Sequence, residues 1–441
     1  MFLLVALAVF ATPALLFAHA RLLRSSPSDK ARLSVPPTSL GLWFSEKPEL
    51  RFTSILLTDS AGSSIPLGPV AATDSMGVSV PIAGIIVGGQ YKVSWRTAAS
   101  DGHATSGTFS FSVAGQPAPI VTVTIDSGQN RKAVANPVFA PTQITPFSTG
   151  MRWAELVAIL TLIGIVAFRL AVISQAHLAS DIVAEINDRS LRLGRAVVVL
   201  FGVATLSRAL AQTELMSNGG GSRFSALMNL VQHTGWGLGW AIGAIGAVLA
   251  LLGLLVAGRV FGGWIAAALG VVAIAVSEAL TGHAGASRNH YALFIATDVS
   301  HVLGAGAWLG GLTALLLCGL PSVKRLDGPS AASAGSKLLR SFHSTSVEAV
   351  IVVVASAIIA AWLRLPSFSA LWTTPYGTTL FRKIVFVLMV MAFGFYHWRR
   401  IVLRPWTGDT LRRFRLSTIG ELIVGAIVVA FTAILVSQQL P

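Results

Sequence analysis

The sequence predicts an all-β domain followed by an α-helical membrane domain of eight transmembrane helices. Residues 19–113 contain short runs of alternating apolar and polar residues bounded by Gly, Pro, Ser and Asp, a pattern typical of half-buried strands. From Met151 onward, apolar stretches of about 20 residues recur, and each can cross a hydrocarbon core of about 30 Å. Apolar residues make up 54% of the chain and charged residues 11%, whereas soluble proteins average about 25% charged.

Residues 1–18 have the composition of a signal peptide. An apolar run precedes small residues, although the start lacks the usual Lys or Arg. Cleavage after Ala18 makes His19 the new N-terminus. The strict A-x-A match instead places the cut after Ala20 and removes that histidine. The residues alone leave both cleavage sites open.

Residues 19–113 form the predicted β-domain. Residues 91–95 and 108–113 alternate in the manner of strands, and a domain of this size is typical of a β-sandwich or barrel. The domain contains no cysteine, so its stability depends on a hydrophobic core. Residues 114–148 are rich in Pro and predict a linker. The membrane domain then occupies residues 149–441.

The membrane domain contains eight predicted spans. They lie near residues 151–172, 195–214, 235–257, 260–280, 292–317, 344–363, 380–398 and 418–437. Most of the Lys and Arg residues between spans fall in the loops that face the cytoplasm if the β-domain is exported. We therefore expect a multi-pass protein of the cytoplasmic (inner) membrane, with its β-domain on the periplasmic or extracellular side. This placement explains much of the net charge of +14 and argues against nucleic-acid binding.

A metal site is indicated by His19 together with Asp101 and His103. As a terminal residue, His19 offers its imidazole and its amine to one metal. In the segment Ser100-Asp101-Gly102-His103, residues 101 and 103 point to the same side of an extended chain. The single cysteine, Cys318, excludes an internal disulfide and a Cys-rich zinc or iron–sulfur site. Nitrogen and oxygen ligands suit tetragonal Cu(II), whereas Cu(I) prefers sulfur.

The motifs of the β-domain resemble those of CopC copper-binding proteins. They are His19-Ala20-Arg21-Leu22 with Ser26-Pro27, residues 42–46, residues 89–96, Ser100-Asp101-Gly102-His103 and residues 107–111. The resemblance implies a mature terminus at His19 and a Greek-key β-fold of the cupredoxin or immunoglobulin-like type. It also implies Cu(II) binding by His19, Asp101 and His103. Family members with a second, Cu(I) site have a Met-rich loop. Met76 is the only methionine between leader and linker, so we expect a Cu(II)-only domain.

The membrane part resembles the CopD family. The likeness rests on Thr281-Gly282-His283-Ala284, Asp298-x-x-His301, residues 307–312, Thr374-Pro375-Tyr376-Gly377 and Glu421. The whole chain therefore resembles a CopC–CopD fusion of the type implicated in copper uptake and homeostasis. We therefore expect the external domain to capture Cu(II) and the helices to move copper inward. We expect no enzymatic activity; if Cu(II) is captured and Cu(I) is moved, a reduction step is implied, but no group in the sequence is identified for it. Periplasmic or cytoplasmic copper chaperones are the expected protein partners.

Seven residues of the predicted spans and their ends form a candidate copper path. They are His283, Asp298, His301, His343, Met389, Met391 and His397. Ionisable residues inside a bilayer usually line a polar path, so the first three predict an outward-facing site. The last four predict a cytoplasmic exit site, where thioethers favour Cu(I). The alternative is structural, with hydrogen bonds between helices for Asp298 and His301 and apolar packing for the methionines.

Other functions also fit parts of the sequence. The pairs His283/His301 and His343/His397 are also an arrangement able to hold two b-type haems. A terminal-histidine copper site also occurs in polysaccharide oxygenases, but Asp101 would occupy a position that oxygen chemistry needs open. No Walker A loop is apparent, so ATP is not expected to drive transport directly. Arg208 and Glu421 are interpreted as a charge pair or as helix-end groups.

Overall fold

The computed structural model describes residues 22–45, 47–74, 76–98, 104–115, 146–216, 222–282, 291–326, 328–399 and 408–438. These residues fold into two compact units, one of strands and one of helices. The predicted fold class is thereby confirmed. The signal peptide, most of the linker and the residues His19, Asp101, His103 and His283 lie outside the described residues.

The β unit is a sandwich of two sheets. Its strands are β1 (Leu22–Ser26), β2 (Ala31–Leu33), β3 (Ser39–Phe44), β4 (Ser54–Asp59), β5 (Ser64–Ile65), β6 (Ala71–Ala72), β7 (Gly77–Pro81), β8 (Gly89–Ala98) and β9 (Ala104–Val113). One sheet has the order β1-β3-β7-β6 and the other the order β2-β9-β8-β4-β5. All pairs are antiparallel except β2 with β9. The chain changes sheet at five connections, namely β1–β2, β2–β3, β3–β4, β5–β6 and β7–β8.

Alternate residues of the central strands fill the space between the two sheets. Leu40, Leu42 and Phe44 of β3 are buried, because successive side chains of a strand point to opposite faces. On β8, Val93 and Trp95 show the same alternation. The rings of Phe44 and Trp95 meet edge to face, with centroids 5.2 Å apart. The predicted dependence on an apolar core therefore matches the described packing.

The helical unit contains eight helices, by length and composition, that can cross a membrane. The helices are α1 (Pro146–Ala167), α2 (Ser180–Met216), α3 (Arg223–His233), α4 (Gly235–Val256), α5 (Gly262–Leu280), α6 (Tyr291–Ala305), α7 (Gly328–Arg364), the short α8 (Ala370–Thr373), α9 (Pro375–His397) and α10 (Gly408–Ser437). A π-helical turn, Phe168–Ile173, prolongs α1. Two more, Gly306–Gly310 and Leu315–Gly319, prolong α6 toward Val323. The predicted number of spans agrees with the number found among the described residues.

Several helices extend beyond the predicted spans. Helix α2 begins at Ser180 rather than near residue 195, because polar residues continue the helix beyond its apolar segment. Within this extension, Arg189 lies 3.0 Å from Glu185 and Arg192 lies 2.7 Å from Asp188. Pairs spaced four residues apart on a helix support it without any apolar stripe. A hydropathy pattern alone therefore gives the membrane-spanning part of the helix but not its ends.

Helices α1 and α6 approach each other closely at two glycines. A Cβ atom at Gly164 would overlap the backbone of Gly310, and a Cβ atom at Gly310 would overlap the carbonyl group of Leu160. Small residues allow such contacts between helices in membranes. This approach brings the charged residues near the start of α1 into the helical bundle.

Candidate functional site

The strand ends that adjoin the predicted copper ligands lie at one end of the β-sandwich. Leu22, the first residue of β1, pairs with Phe44, and the Phe44 ring contacts Trp95 of β8. Three residues beyond Trp95, β8 ends at Ala98, which pairs with Ala104 at the start of β9. At about 3.3 Å per residue, three residues of strand span about 10 Å. The chain before Leu22 and the connection at residues 99–103 therefore leave the same end of the sandwich.

Aromatic and charged side chains surround this end. The Trp43 indole donates a hydrogen bond of 3.0 Å to Asp74, and the Arg24 guanidinium lies 4.0 Å from the centre of the Trp43 ring. The Met76 backbone N–H donates to the other Asp74 oxygen at 2.7 Å. The Met76 and Trp43 donors hold the pKa of Asp74 below its ordinary value. Asp74 thus connects the turn before β7 to Trp43 of β3.

Trp95 also has a polar atom close to this end of the sandwich. Its Nε1 is buried and has no hydrogen-bond partner among the described residues. Its strand partner is Gly107, and a Cβ atom there would collide with the indole ring. Glycine at position 107 therefore allows the indole to lie flat across β9. A buried N–H without a partner is uncommon, and here it lies a few residues from the connection that carries Asp101 and His103.

The helical unit contains a buried network of charged residues near the start of α1. Arg152 contacts Glu155 at 2.7 Å and also Glu278 of α5. Arg208 of α2 contacts Glu155 at 3.2 Å, and its guanidinium lies 5.3 Å from the centre of the Trp236 ring. Arg152, Glu155 and Glu278 are all at most 8% exposed. Paired charges of this kind are the form in which ionised groups are tolerated away from water.

Asp298 and His301 both lie on α6, and each has a partner on α7. The Arg364 guanidinium donates to both Asp298 oxygens, at 2.6 and 2.8 Å. The Nδ1 atom of His301 lies 3.1 Å from the Ser356 hydroxyl. Asp298 is therefore neutralised by an arginine, whereas the Nδ1 of His301 contacts a neutral hydroxyl group.

These two residues line a cavity of about 180 Å³ inside the helical unit. Its charged lining residues are Arg152, Glu278, Asp298, Arg364 and Lys383, and its neutral polar lining residues include His301, Tyr376 and Thr432. The lining comes from α1, α5, α6, α7, α9 and α10. Charged and polar side chains therefore lie beside apolar ones in a cavity formed by helices that can cross a membrane. Such a cavity is the form expected of a site or a path in a membrane protein.

His397 has partners on α10. Its Nδ1 lies 3.1 Å from a Glu421 oxygen and its Nε2 lies 2.6 Å from the Ser417 hydroxyl. Nε2 is thus engaged by Ser417, whereas the contact of Nδ1 with Glu421 is close but is not a hydrogen bond. To ligate a haem iron or copper through Nε2, His397 would have to give up the Ser417 hydroxyl. Glu421 does not pair with Arg208, as one interpretation of the sequence had it, because Glu421 lies beside His397 and Arg208 contacts Glu155.

The other predicted exit residues, His343, Met389 and Met391, do not share the contacts of His397. The His343 ring stacks on Trp398, with centroids 6.4 Å apart. Met391 packs against the apolar cluster around Trp308 and Val390, whereas Met389 is 45% exposed on α9. Within the described ranges, no group of three or more His, Cys, Asp or Glu side chains is arranged to hold a metal ion.

Sequence reasoning missed most of the ionic network. Arg152, Glu155 and Glu278 were not selected, and neither was the pairing of Asp298 with Arg364. All lie in or at the ends of apolar stretches, and ionisable residues at such positions usually have a partner or a function. That signal was sufficient to find the residues, but a sequence does not state which helices are neighbours.

Three protein families match the chain in succession. The CopC domain matches residues 22–114. The copper resistance protein D-like N-terminal domain matches residues 143–291, and the copper resistance protein D family matches residues 336–435.

Two curated copper proteins are also similar in sequence to this chain. The copper transport protein CutJ of Bacillus subtilis (strain 168) is 24% identical over 391 residues, covering 86% of this chain and 68% of that protein. Copper resistance protein C of Xanthomonas campestris pv. juglandis is 34% identical over 104 residues, covering 22% of this chain and 81% of that protein.

Two solved structures each cover 22% of this chain. CopC from Methylosinus trichosporium OB3b is 28% identical, with a TM-score of 0.21, and covers 22% of this chain and 97% of its own. PcoC, a methionine-rich copper resistance protein from Escherichia coli, is 27% identical, with a TM-score of 0.21, and covers 22% of this chain and 100% of its own.

Proposed function

Since this chain belongs to the CopC–CopD family of copper resistance and transport proteins, we propose that its β unit captures Cu(II) and its helical unit moves copper inward. It is a multi-pass membrane protein with a CopC-like domain. The proposal places the β unit on the periplasmic or extracellular face of the cytoplasmic membrane. Copper chaperones on either side are the proposed protein partners.

The observation that carries the capture site is the shared end of the sandwich. The chain that precedes Leu22 and the connection after Ala98 start from strands joined through Phe44 and Trp95. The proposed ligands are His19, through its amine and imidazole, with Asp101 and His103. Such a set of nitrogen and oxygen donors suits Cu(II). The proposed domain organisation has a cleaved leader at residues 1–18 and a linker at 114–148.

N-terminal sequencing of the mature protein tests the capture site directly. We expect the mature chain to begin His-Ala-Arg. A mature chain that begins at Arg21 lacks the amine–imidazole chelate and would contradict the proposed ligand set.

Copper binding by variants of the full chain gives a second test. His103→Ala is expected to remove the electron paramagnetic resonance signal of tightly bound Cu(II). His233→Ala makes the same substitution at an exposed histidine of α3 and is expected to leave that signal unchanged. Equal Cu(II) binding by the two variants would exclude His103 as a ligand.

The proposed copper path consists of the residues predicted from the sequence. Their contacts in the structure indicate which of them can bind copper most readily. His301 ranks first, because it lines the cavity and its contact on α7 is a neutral hydroxyl group, that of Ser356, rather than a charged partner. Asp298 and His397 would have to give up partners in order to bind copper. Met389 and Met391 supply thioethers on α9 that favour Cu(I), and His283 and His343 complete the proposed outer and inner ends.

Copper uptake into proteoliposomes, with the oxidation state controlled, tests transport. His301→Ala is expected to abolish accumulation while Cu(II) binding by the same protein remains. Arg382→Ala changes an exposed residue of α9 and serves as the matched control. Unchanged accumulation with His301→Ala would assign His301 a structural role only.

A further inference from the structure

The cavity of the helical unit has more positive than negative side chains in its lining. Arg152, Arg364 and Lys383 contribute positive charge, and Glu278 and Asp298 contribute negative charge. Arg152 contacts Glu278 and Arg364 contacts Asp298. Lys383 is the lining cation that remains after these two pairs are counted.

The next layer of residues does not neutralise Lys383. Glu155 contacts Arg152 at 2.7 Å, but it also contacts Arg208 at 3.2 Å. These two residues add one negative and one positive charge, so the surplus of one positive charge persists. Lys383 makes no hydrogen bond or ion pair with any residue that the structure describes. The connection at residues 283–290 contains no Asp or Glu in its sequence, so it supplies no carboxylate to this cavity.

A second donor of the cavity lacks a partner. Tyr376, at the start of α9, is 9% exposed and lines the cavity. Its hydroxyl group makes no hydrogen bond within the described residues. Burying a polar group without a partner is unfavourable. Lys383 and Tyr376 lie on the same helix, and both line the cavity together with Asp298 and Arg364.

We propose that this cavity binds a small monovalent anion, with chloride as the test ligand. The anion would accept hydrogen bonds from the Lys383 ammonium and the Tyr376 hydroxyl, and its charge would balance the surplus. In a low-dielectric interior an uncompensated charge is strongly unfavourable. A cavity of about 180 Å³ has room for one such ion with water, since a water molecule occupies about 30 Å³.

Anion binding would also bear on copper movement. A bare copper cation that reached His301 would meet the surplus positive charge of the same cavity. A bound anion removes that electrostatic barrier. The anion site itself rests on the charge balance of the cavity and is tested without copper, so its failure and the failure of copper transport are distinguishable.

Thermal unfolding of the full-length protein in detergent tests the site. Chloride is titrated against gluconate at constant ionic strength, in the presence of a copper chelator, and unfolding is followed by tryptophan fluorescence. A ligand that binds only the folded state raises the unfolding temperature in a saturable way. We expect chloride to raise the unfolding temperature in this way, and we expect bromide to have the same effect. A wild-type protein whose unfolding temperature is independent of chloride would overturn the proposal.

Variants assign the effect to the cavity. Lys383→Met is expected to lower the chloride affinity by about tenfold or more, because one charged hydrogen-bond donor is lost. Asp298→Asn is expected to raise it by about tenfold, since Arg364 loses its counter-charge. Arg382→Met, at the neighbouring exposed position, should leave the affinity unchanged. Equal chloride dependence of Lys383→Met and wild type would show binding elsewhere and overturn the proposal.

A further variant covers the case in which Lys383→Met does not fold. Tyr376→Phe removes the hydroxyl group and keeps the ring, so the packing of α9 is preserved. It is expected to lower the chloride affinity several-fold, by roughly the loss of one neutral hydrogen bond. An unchanged affinity of Tyr376→Phe would exclude the cavity as the site.

Discussion

The two units bury different kinds of side chain. The core of the β unit consists of apolar residues, such as Leu40, Leu57 and Val93, and its buried polar residues are threonines, Thr53 and Thr97, bonded to each other at 2.7 Å. The helical unit buries arginine and glutamate side chains in its interior. The difference follows from the surroundings, because lipid offers no hydrogen bonds to a polar group.

The outer surface of the helical unit also differs from that of a soluble domain, because it exposes apolar side chains. On α4, Leu238, Ile245 and Leu252 lie seven residues apart and are 59%, 67% and 56% exposed. Seven residues are nearly two helical turns, so these side chains share one face. The helical unit thus has apolar side chains on its outer surface and charged side chains inside, whereas the β unit has an apolar core. A site in the β unit is therefore expected at strand ends, and a site in the helical unit is expected inside it.

The largest expected effect is the loss of one member of the buried network. Arg152→Met removes the cation that contacts both Glu155 and Glu278 and leaves Glu278 only Arg208 at 3.9 Å, and breaking a buried ion pair in this way costs about 3–5 kcal/mol. We expect the free energy of unfolding in detergent to fall by about that amount. Thermal unfolding measures it.

The control for this prediction is an exposed pair. Arg192→Met breaks the contact with Asp188, whose side chains are 67% and 64% exposed, and an exposed pair contributes about 0–1 kcal/mol. Equal destabilisation by Arg152→Met and Arg192→Met would contradict the distinction between buried and exposed charge in this unit.

Truncation of an apolar core residue is the corresponding change in the β unit. Leu42→Ala removes a side chain that is fully buried between the sheets, and such truncations cost about 2–5 kcal/mol. Hydrogen exchange of β3 and β7 in the full chain should accelerate, with the helices unaffected. Leu23→Ala, at a position 62% exposed, should change little. Acceleration in both units would indicate that they unfold together.

A smaller effect is expected where the two helices meet most closely. Gly310→Ala places a Cβ atom against the Leu160 carbonyl group, and overpacking costs about 1–3 kcal/mol. Gly394→Ala introduces the same methyl group on α9 where no atom lies within reach, and it should be neutral or stabilising because alanine favours helix. A Gly310→Ala protein as stable as wild type would mean that α1 and α6 can separate without loss.

The sequence allowed the fold class and the number of spans to be predicted, because hydrophobic periodicity and length determine both. It did not indicate which charges meet. Asp298 was predicted to face copper, yet its nearest cation is Arg364 on α7, one residue beyond the predicted span at 344–363. Helix neighbours depend on packing at positions such as Gly164 and Gly310, and no pattern along one helix encodes them. The interpretation of Asp298 as a link between helices matches the contact found.

The smallest expected effect concerns Asp74, an exposed carboxylate of the β unit. The Met76 and Trp43 N–H donors lower its pKa relative to the ordinary value of 3.8, so the folded state favours the carboxylate. A depressed pKa in the folded state stabilises the protein above the unfolded pKa, and this contribution disappears as the pH falls through the folded value. We expect Asp74→Asn to accelerate hydrogen exchange at Met76 slightly at neutral pH, and to remove the acid dependence of that exchange below about pH 4. Asp59→Asn, at a turn in the other sheet, is the control. An Asp74→Asn protein with wild-type acid dependence at Met76 would show that the carboxylate does not fix this loop.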